Sequence, residues 1–253
     1  MAENIGLKWQ KAFTHASYAT PKVPKEFFLR LQDSPYLQAM LKGTNLKKDS
    51  QILEAGCGSG KWAVTLATLG YQVVAMDYSP EILKQVEELK KQAANYFGKL
   101  KLEVMTDDLN AMKTPTRFDL VFNEGVVEHW LKKEERLQVI KEMAKVTKKG
   151  GTVAIFVPNG AHPLHFWWVA THYAGYFSAP PMTRYSTSKL KREMGEAGLK
   201  DLKTNGFDAY FSINKWPHLA LFDYPLGYFE KHFTLPKFIR EGLGVSILCL
   251  GKV

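Results

Sequence analysis

From residue 50 onward, short apolar runs alternate with stretches in which apolar positions recur every three or four residues. Residues 50–55, 72–76, 101–105, 118–122 and 152–157 each read as a near-continuous apolar strand, too short for a helix. Helix patterns lie between them: 61–69, stopped at Gly70; 79–97, opened by Ser79-Pro80 and stopped at Gly98; and 133–148, ended by Gly150-Gly151. Ser79 is the expected N-cap with Pro80 in the first turn, and glycine ends helices because it takes the left-handed backbone at little cost. Strands buried on both faces, alternating with helices, predict a parallel sheet covered on both sides.

Beyond residue 158 the pattern changes. Residues 186–197 read as a helix, 200–211 as extended chain and 244–253 as a last strand. No tight crossover helix separates the two extended segments, so the last strand is expected to lie antiparallel. The predicted architecture is α/β, a doubly wound, mostly parallel seven-stranded sheet with an antiparallel last strand. A helical leader or lid over 1–49 would precede a main domain over 50–253, with aromatic-rich insertions at 160–185 and 212–243.

Composition narrows the class without choosing a partner. The 253 residues are 45% hydrophobic and 23% charged, as in a soluble globular protein, although 13% aromatic is generous. The start of the chain carries no apolar signal segment, and the aromatic run at 162–177 is too short to span a bilayer and holds three histidines. The two cysteines, Cys57 and Cys249, offer neither metal spacing nor a disulfide framework, which favours a cytoplasmic location. The net charge of +9 comes largely from scattered lysine pairs, which read as solvated helix ends rather than one nucleic-acid face.

The chemistry enters at I-L-E-A-G-C-G-S-G-K, residues 52–61. Gly56, Gly58 and Gly60 follow the first strand, where an open α/β sheet places its ligand. A plain turn needs one such residue; three let a ligand lie against the backbone. A dinucleotide loop would want glycine where Lys61 stands, and a phosphate loop would want a hydroxyl where Trp62 stands. Glu54, two residues before the first glycine, would repel a pyrophosphate and welcome a cation.

The segment E-A-G-C-G-S-G resembles motif I of the class I S-adenosylmethionine-dependent methyltransferases, and three further landmarks fall at that family's spacing over 50–157. The resemblance implies a Rossmann-like fold and S-adenosylmethionine as cofactor, with Cys57 inside the cofactor loop. Asp77, ending the second strand, would take the ribose hydroxyls, and Tyr78 would either lie on the adenine or pack. In Thr106-Asp107-Asp108-Leu109, Asp108 would meet the adenine amine, with Asp107 as the alternative, and the Leu109 amide the ring. Asn123 and Glu124 end the fourth strand, near the methionine part.

Val126-Val127-Glu128-His129 is similar to the corresponding segment of ubiquinone-biosynthesis O-methyltransferases, which implies Glu128 and His129 as the catalytic pair. An imidazole with an ordinary pKa of about 6.5 can take a proton at physiological pH. The alternative is that His129 only packs the start of the next helix. Some relatives hold a divalent metal with E-x-x-E-H; here Gly125 occupies the first position, and no metal is expected.

The implied activity is methyl transfer to a small-molecule acceptor, on an oxygen of an apolar, aromatic or lipid-like substrate. Aromatics in the leader and insertions (Trp9, Trp167, Trp168, Trp216 among them) read for the most part as the small core that long insertions need; the alternative is a lid or a face in peripheral contact with a membrane. RNA methylation is disfavoured, since no cysteine stands at the active end outside the loop and no Asp/Asn-Pro-Pro-Tyr/Phe segment follows strand four. A non-catalytic S-adenosylmethionine-binding module is the third reading.

Overall fold

Ile52 and Glu54 point to one face of the first strand, Leu53 and Ala55 to the other, and all four side chains are buried. A strand covered on both faces must be central, and the sheet order β3-β2-β1-β4-β5-β7-β6 places it third of seven. In the computed structural model, which describes residues 22–162, 181–207, 241–242 and 244–253, the strands are β1 (Gln51–Ala55), β2 (Gln72–Asp77), β3 (Leu102–Thr106), β4 (Phe118–Glu124), β5 (Thr147–Pro158), β6 (Lys200–Phe207) and β7 (Ser246–Lys252). Strands β1 to β5 pair in parallel, and β7 runs antiparallel between β5 and β6. The antiparallel last strand expected from the missing crossover is therefore present.

Helices α1 (Lys25–Gln32), α2 (Pro35–Lys42), α3 (Lys61–Thr68) and α4 (Pro80–Phe97) belong to the layer containing Ile52, Leu120, Phe122 and Ala154. On the other face, a 3-10 turn (Val127–His129), α5 (Lys133–Lys145) and α6 (Thr187–Glu196) pack over Leu53, Val121, Val153 and Ile155. Each such aliphatic side chain contributes about 1.5–3 kcal/mol by leaving water. Ser79 caps α4 as expected, its hydroxyl accepting from the Ile82 amide, with Pro80 in the first turn.

One predicted boundary is wrong in an instructive way. Helix α5 stops at Lys145 and β5 begins at Thr147, so Gly150-Gly151 lies inside the strand rather than ending the helix. The pairing of β5 with β4 shifts register between Phe118 and Leu120. Gly150 has φ +77°, and a Cβ on Gly151 would fall 3.0 Å from the Asp119 carbonyl oxygen. A bulge needs glycine for the same reason a helix end does. At the far end of β5 the buried Asn159 amide group donates to the Glu241 and Gly244 carbonyls, tying that strand to the approach to β7. The leader before residue 22, residues 163–180 of the insertion expected over 160–185, and 212–240 and 243 of that expected over 212–243 lie outside the described residues.

Candidate functional site

The strand order turns back at β1, whose neighbours β2 and β4 carry their chains to opposite sides, so a crevice opens beyond the carboxyl ends of these strands. Ala55, Asp77, Thr106 and Glu124 all end strands at this edge. The glycine loop leaves β1 there and is pinned at once: the Gly56 and Cys57 amides both donate to the Met76 carbonyl at 2.8 Å. Gly56, Gly58 and Gly60 all have φ between +49° and +79°, a backbone open to glycine at little cost. Their surroundings differ. A Cβ on Gly60 would sit 2.7 Å from Val86, and one on Gly56 about as tight against Val126 at 3.1 Å and Leu109 at 3.2 Å, whereas one on Gly58 meets nothing within 4 Å. Two glycines let the loop pack; the third faces open space.

Asp77 reaches into that loop. One carboxylate oxygen accepts from the Gly58 amide at 3.0 Å and the other from Ser79 at 3.1 Å. Each oxygen keeps a lone pair for a further donor, so two adjacent hydroxyls could still be held. Tyr78, beside it, is 46% exposed. At the end of β3, Asp107 is used within its own loop, accepting from the amides of Asp108, Lys113 and Thr114. Asp108, half-buried, accepts on one oxygen from both the backbone and the side chain of Asn110. Leu109 leans on the glycine loop.

Glu54 is placed beneath the loop rather than on its surface. Only 2% exposed, it accepts from the Ala63 amide at 2.8 Å and so caps the first turn of α3 from the strand. Burial pushes its carboxyl well above the usual range. The same burial, with Glu54 and Asp77 nearby, raises the Cys57 thiol. Glu124 is held from α3 as well: Lys61 Nζ lies 3.0 Å from Oε2, and the Trp62 indole N–H donates to the same oxygen. Beside that clasp, Tyr36 and Met40 of α2 line a small cleft with Trp62, Phe122, Glu124 and Phe156.

Asn123 is fully buried, its amide donating to Met143 Sδ at 3.4 Å while its carbonyl oxygen has no donor among the described residues. Glu128, 1% exposed, likewise has one carboxylate oxygen with no donor among the described residues, and burial pushes its pKa up to about 8. His129 is 6% exposed; its Nδ1 lies 3.3 Å from the Pro181 carbonyl oxygen, and burial lowers its pKa. At neutral pH the pair is therefore a protonated acid beside an uncharged imidazole. Among the described residues no group of three His, Cys, Asp or Glu side chains could hold a metal ion, and no helix is long and apolar enough to cross a membrane.

Of the residues expected at the cofactor, the three glycines, Asp77, Asp108 and Glu124 lie at or just beyond the carboxyl ends of β1 to β4, whereas Glu54 is buried beneath the loop on the Ala63 amide and does not reach its surface. The sequence reading missed the Lys61–Trp62 clasp on Glu124, although Lys61 standing where a dinucleotide loop has glycine was the available signal. It also missed Arg136, 4% exposed, which forms a two-pronged pair with Glu193 at 2.7 and 2.9 Å behind the 3-10 turn.

Residues 52–151 match a family described as a methyltransferase domain. The chain is 29% identical over 142 residues to a ubiquinone biosynthesis O-methyltransferase of Pelagibacter ubique, a match covering 56% of this chain and 51% of that one. It is 28% identical to a probable tRNA methyltransferase 9B of Mus musculus, over 60% of this chain and 30% of the relative. The chain thus spans about half the length of the first relative and less of the second. Among solved structures, a magnesium protoporphyrin IX methyltransferase of Synechocystis with bound SAH aligns at TM-score 0.54 and 15% identity, over 89% of this chain and 83% of that one, a likeness of fold. The matched segment is thus a methyltransferase domain, and the fold around it is that of S-adenosylmethionine-dependent methyltransferases.

Proposed function

We propose that this protein transfers a methyl group from S-adenosylmethionine to an oxygen of a small apolar, aromatic or lipid-like acceptor, by in-line displacement. The observation that carries the reading is the buried, uncharged His129 beside the glycine loop's strand ends, since a hydroxyl acceptor must lose a proton as it attacks. The cradle fits the cofactor: Gly58 leaves room against the backbone, and Asp77 retains two acceptor positions for a vicinal diol. When bound, the cofactor supplies an electrophilic methyl group on a positively charged sulfur.

The chain's own residues do the rest. Asp77 holds the ribose, Asp108 and the Leu109 amide the adenine, and Glu124 the methionine part; the Asn123 side chain, expected there as well, takes no such role, because it is fully buried against Met143. Tyr78, half exposed beside Asp77, would cover the ring. Holding the acceptor oxygen in line at contact distance supplies much of the acceleration. His129 accepts the hydroxyl proton, and protonated Glu128 lends a neutral hydrogen-bond donor without competing for that proton. Choice of acceptor is assigned to the leader and to the segments over 160–185 and 212–243; of the leader, Tyr36 and Met40 line the cleft beside Glu124.

The test is transfer of labelled methyl from S-adenosylmethionine to a panel of catechols, prenylated phenols and lipid extracts. Label in an ether or ester product, lost in His129→Gln, supports the reading; label recovered only in amines or RNA sinks the oxygen assignment. RNA methylation is the second reading, favoured by the +9 charge and by the tRNA methyltransferase relative. It predicts tRNA binding that weakens steeply with salt. A non-catalytic module would bind the cofactor and label nothing.

A further inference from the structure

Behind the 3-10 turn sits a guanidinium that touches both the residues directly after His129 and the segment that follows Pro181. Arg136, in the first turn of α5, directs Nε and Nη2 as a fork onto Glu193 of α6, at 2.9 and 2.7 Å. Its Nη1 donates to the carbonyls of Trp130 at 2.9 Å and Leu131 at 2.8 Å, and to the Thr183 hydroxyl at 3.0 Å. Tyr185 closes the far side, its hydroxyl donating to Glu193 at 2.5 Å. Burial alone would push the Glu193 carboxyl up, but bonds from Arg136 and Tyr185 hold it below its ordinary value.

Those contacts bracket the proposed proton acceptor. Trp130 and Leu131 are the two residues directly after His129. Thr183 lies two residues after Pro181, whose carbonyl faces the His129 ring, and the Thr183 amide donates to the Glu128 carbonyl at 2.6 Å. One side chain thus fixes the chain on both sides of the imidazole. A buried ion pair is a poor stabiliser, because desolvating both charges offsets their attraction; what a two-pronged pair supplies is fixed geometry.

We propose that Arg136 is a positioning residue for methyl transfer: through Trp130, Leu131 and Thr183 it holds the Glu128–His129 turn in the orientation that receives the acceptor's proton. The inference rests on the reading of His129 as proton acceptor. Lysine cannot replace it, since one ammonium cannot form a fork to Glu193 and also reach two carbonyls and a hydroxyl.

The experiment uses protein labelled with nitrogen-15 histidine, the His129 ring signals being those missing in His129→Gln. Two variants are compared with the natural chain, Arg136→Lys and Thr183→Val. The second is near-isosteric, keeps the Thr183 amide bond and removes only the hydroxyl, so it decides the matter if the first fails to fold. Expected are His129 ring signals moved toward those of an exposed imidazole averaging two tautomers. S-adenosylhomocysteine affinity should stay within about twofold by calorimetry, and turnover of a catechol probe at saturating cofactor should fall about tenfold. Unmoved ring signals in Thr183→Val and in any folded Arg136→Lys, whatever the loss of thermal stability, overturn the proposal. The two readings fail separately. Full turnover in His129→Gln ends the proton-acceptor role while leaving the ring result intact, whereas a dead His129→Gln with unmoved rings in the other variants ends only the positioning role.

Discussion

The Gly58 amide lies 3.0 Å from a carboxylate oxygen of Asp77, so the loop that receives the cofactor and the residue proposed to grip its sugar are one hydrogen-bonded unit. Removing the carboxylate therefore acts twice. Asp77→Ala should weaken S-adenosylhomocysteine binding by about a hundredfold, the loss of about 2–3 kcal/mol expected when hydrogen bonds to a charged group disappear. Asp77→Asn keeps an acceptor for Gly58 and should lose about tenfold. Calorimetry checks both, and unchanged affinity in Asp77→Asn would mean that the carboxylate serves the loop alone.

The glycines of the loop can be separated by the same measurement. Gly60→Ala forces a methyl to within 2.7 Å of Val86 at φ +67°, and should cost about 2–3 kcal/mol of stability. Gly58→Ala pays for its positive φ, about 1 kcal/mol, but its methyl enters open space. If that space is the cofactor's, Gly58→Ala should fold and yet bind S-adenosylhomocysteine at least about tenfold more weakly. Normal affinity in a folded Gly58→Ala protein would place the ligand elsewhere.

Much of this site was legible because its signals are local. Three glycines after an apolar run, and an aspartate ending the next, need no knowledge of distant residues. What was not legible depends on contacts far along the chain. Arg136 and Glu193 are 57 residues apart, and in a helix whose neighbours are Lys132, Lys133, Glu134 and Glu135 an arginine reads as one more solvated charge. Gly150-Gly151 misled because helix ends and bulges ask the same backbone freedom of glycine. Glu54 was partly readable: alternation with Ile52 already turns its side chain toward the helix layer and away from the crevice.

Glu128 makes stability depend on pH in an unusual direction. Its pKa rises from the ordinary 4.5 to about 8 in the folded chain, so between those values the native state holds a proton that the unfolded chain has released. Stability from this group is present at acid pH and is lost as pH climbs toward 8, an effect on the order of a few kcal/mol. Glu128→Gln, uncharged throughout, should remove that slope. Urea unfolding of both proteins at about pH 5.5 and about pH 8.5 measures the difference. Parallel behaviour of the two would mean that Glu128 is ionised and satisfied in the native state.

The clasp on Glu124 offers a test of whether this residue orients the cofactor. Lys61 and the Trp62 indole both act on the same carboxylate oxygen, so they form one device rather than two. Trp62→Phe keeps the ring's packing and removes a single donor; Lys61→Met keeps the stem and removes the charge. Each should weaken S-adenosylhomocysteine binding by about three- to tenfold with little change in thermal stability. Because each partner can partly hold the oxygen alone, the double variant should lose more than the product of the single losses. A calorimetric double-mutant cycle reads this coupling. Strict additivity would mean that Glu124 is oriented by β4 itself, and that α3 contributes to the site only through its glycine-led first turn.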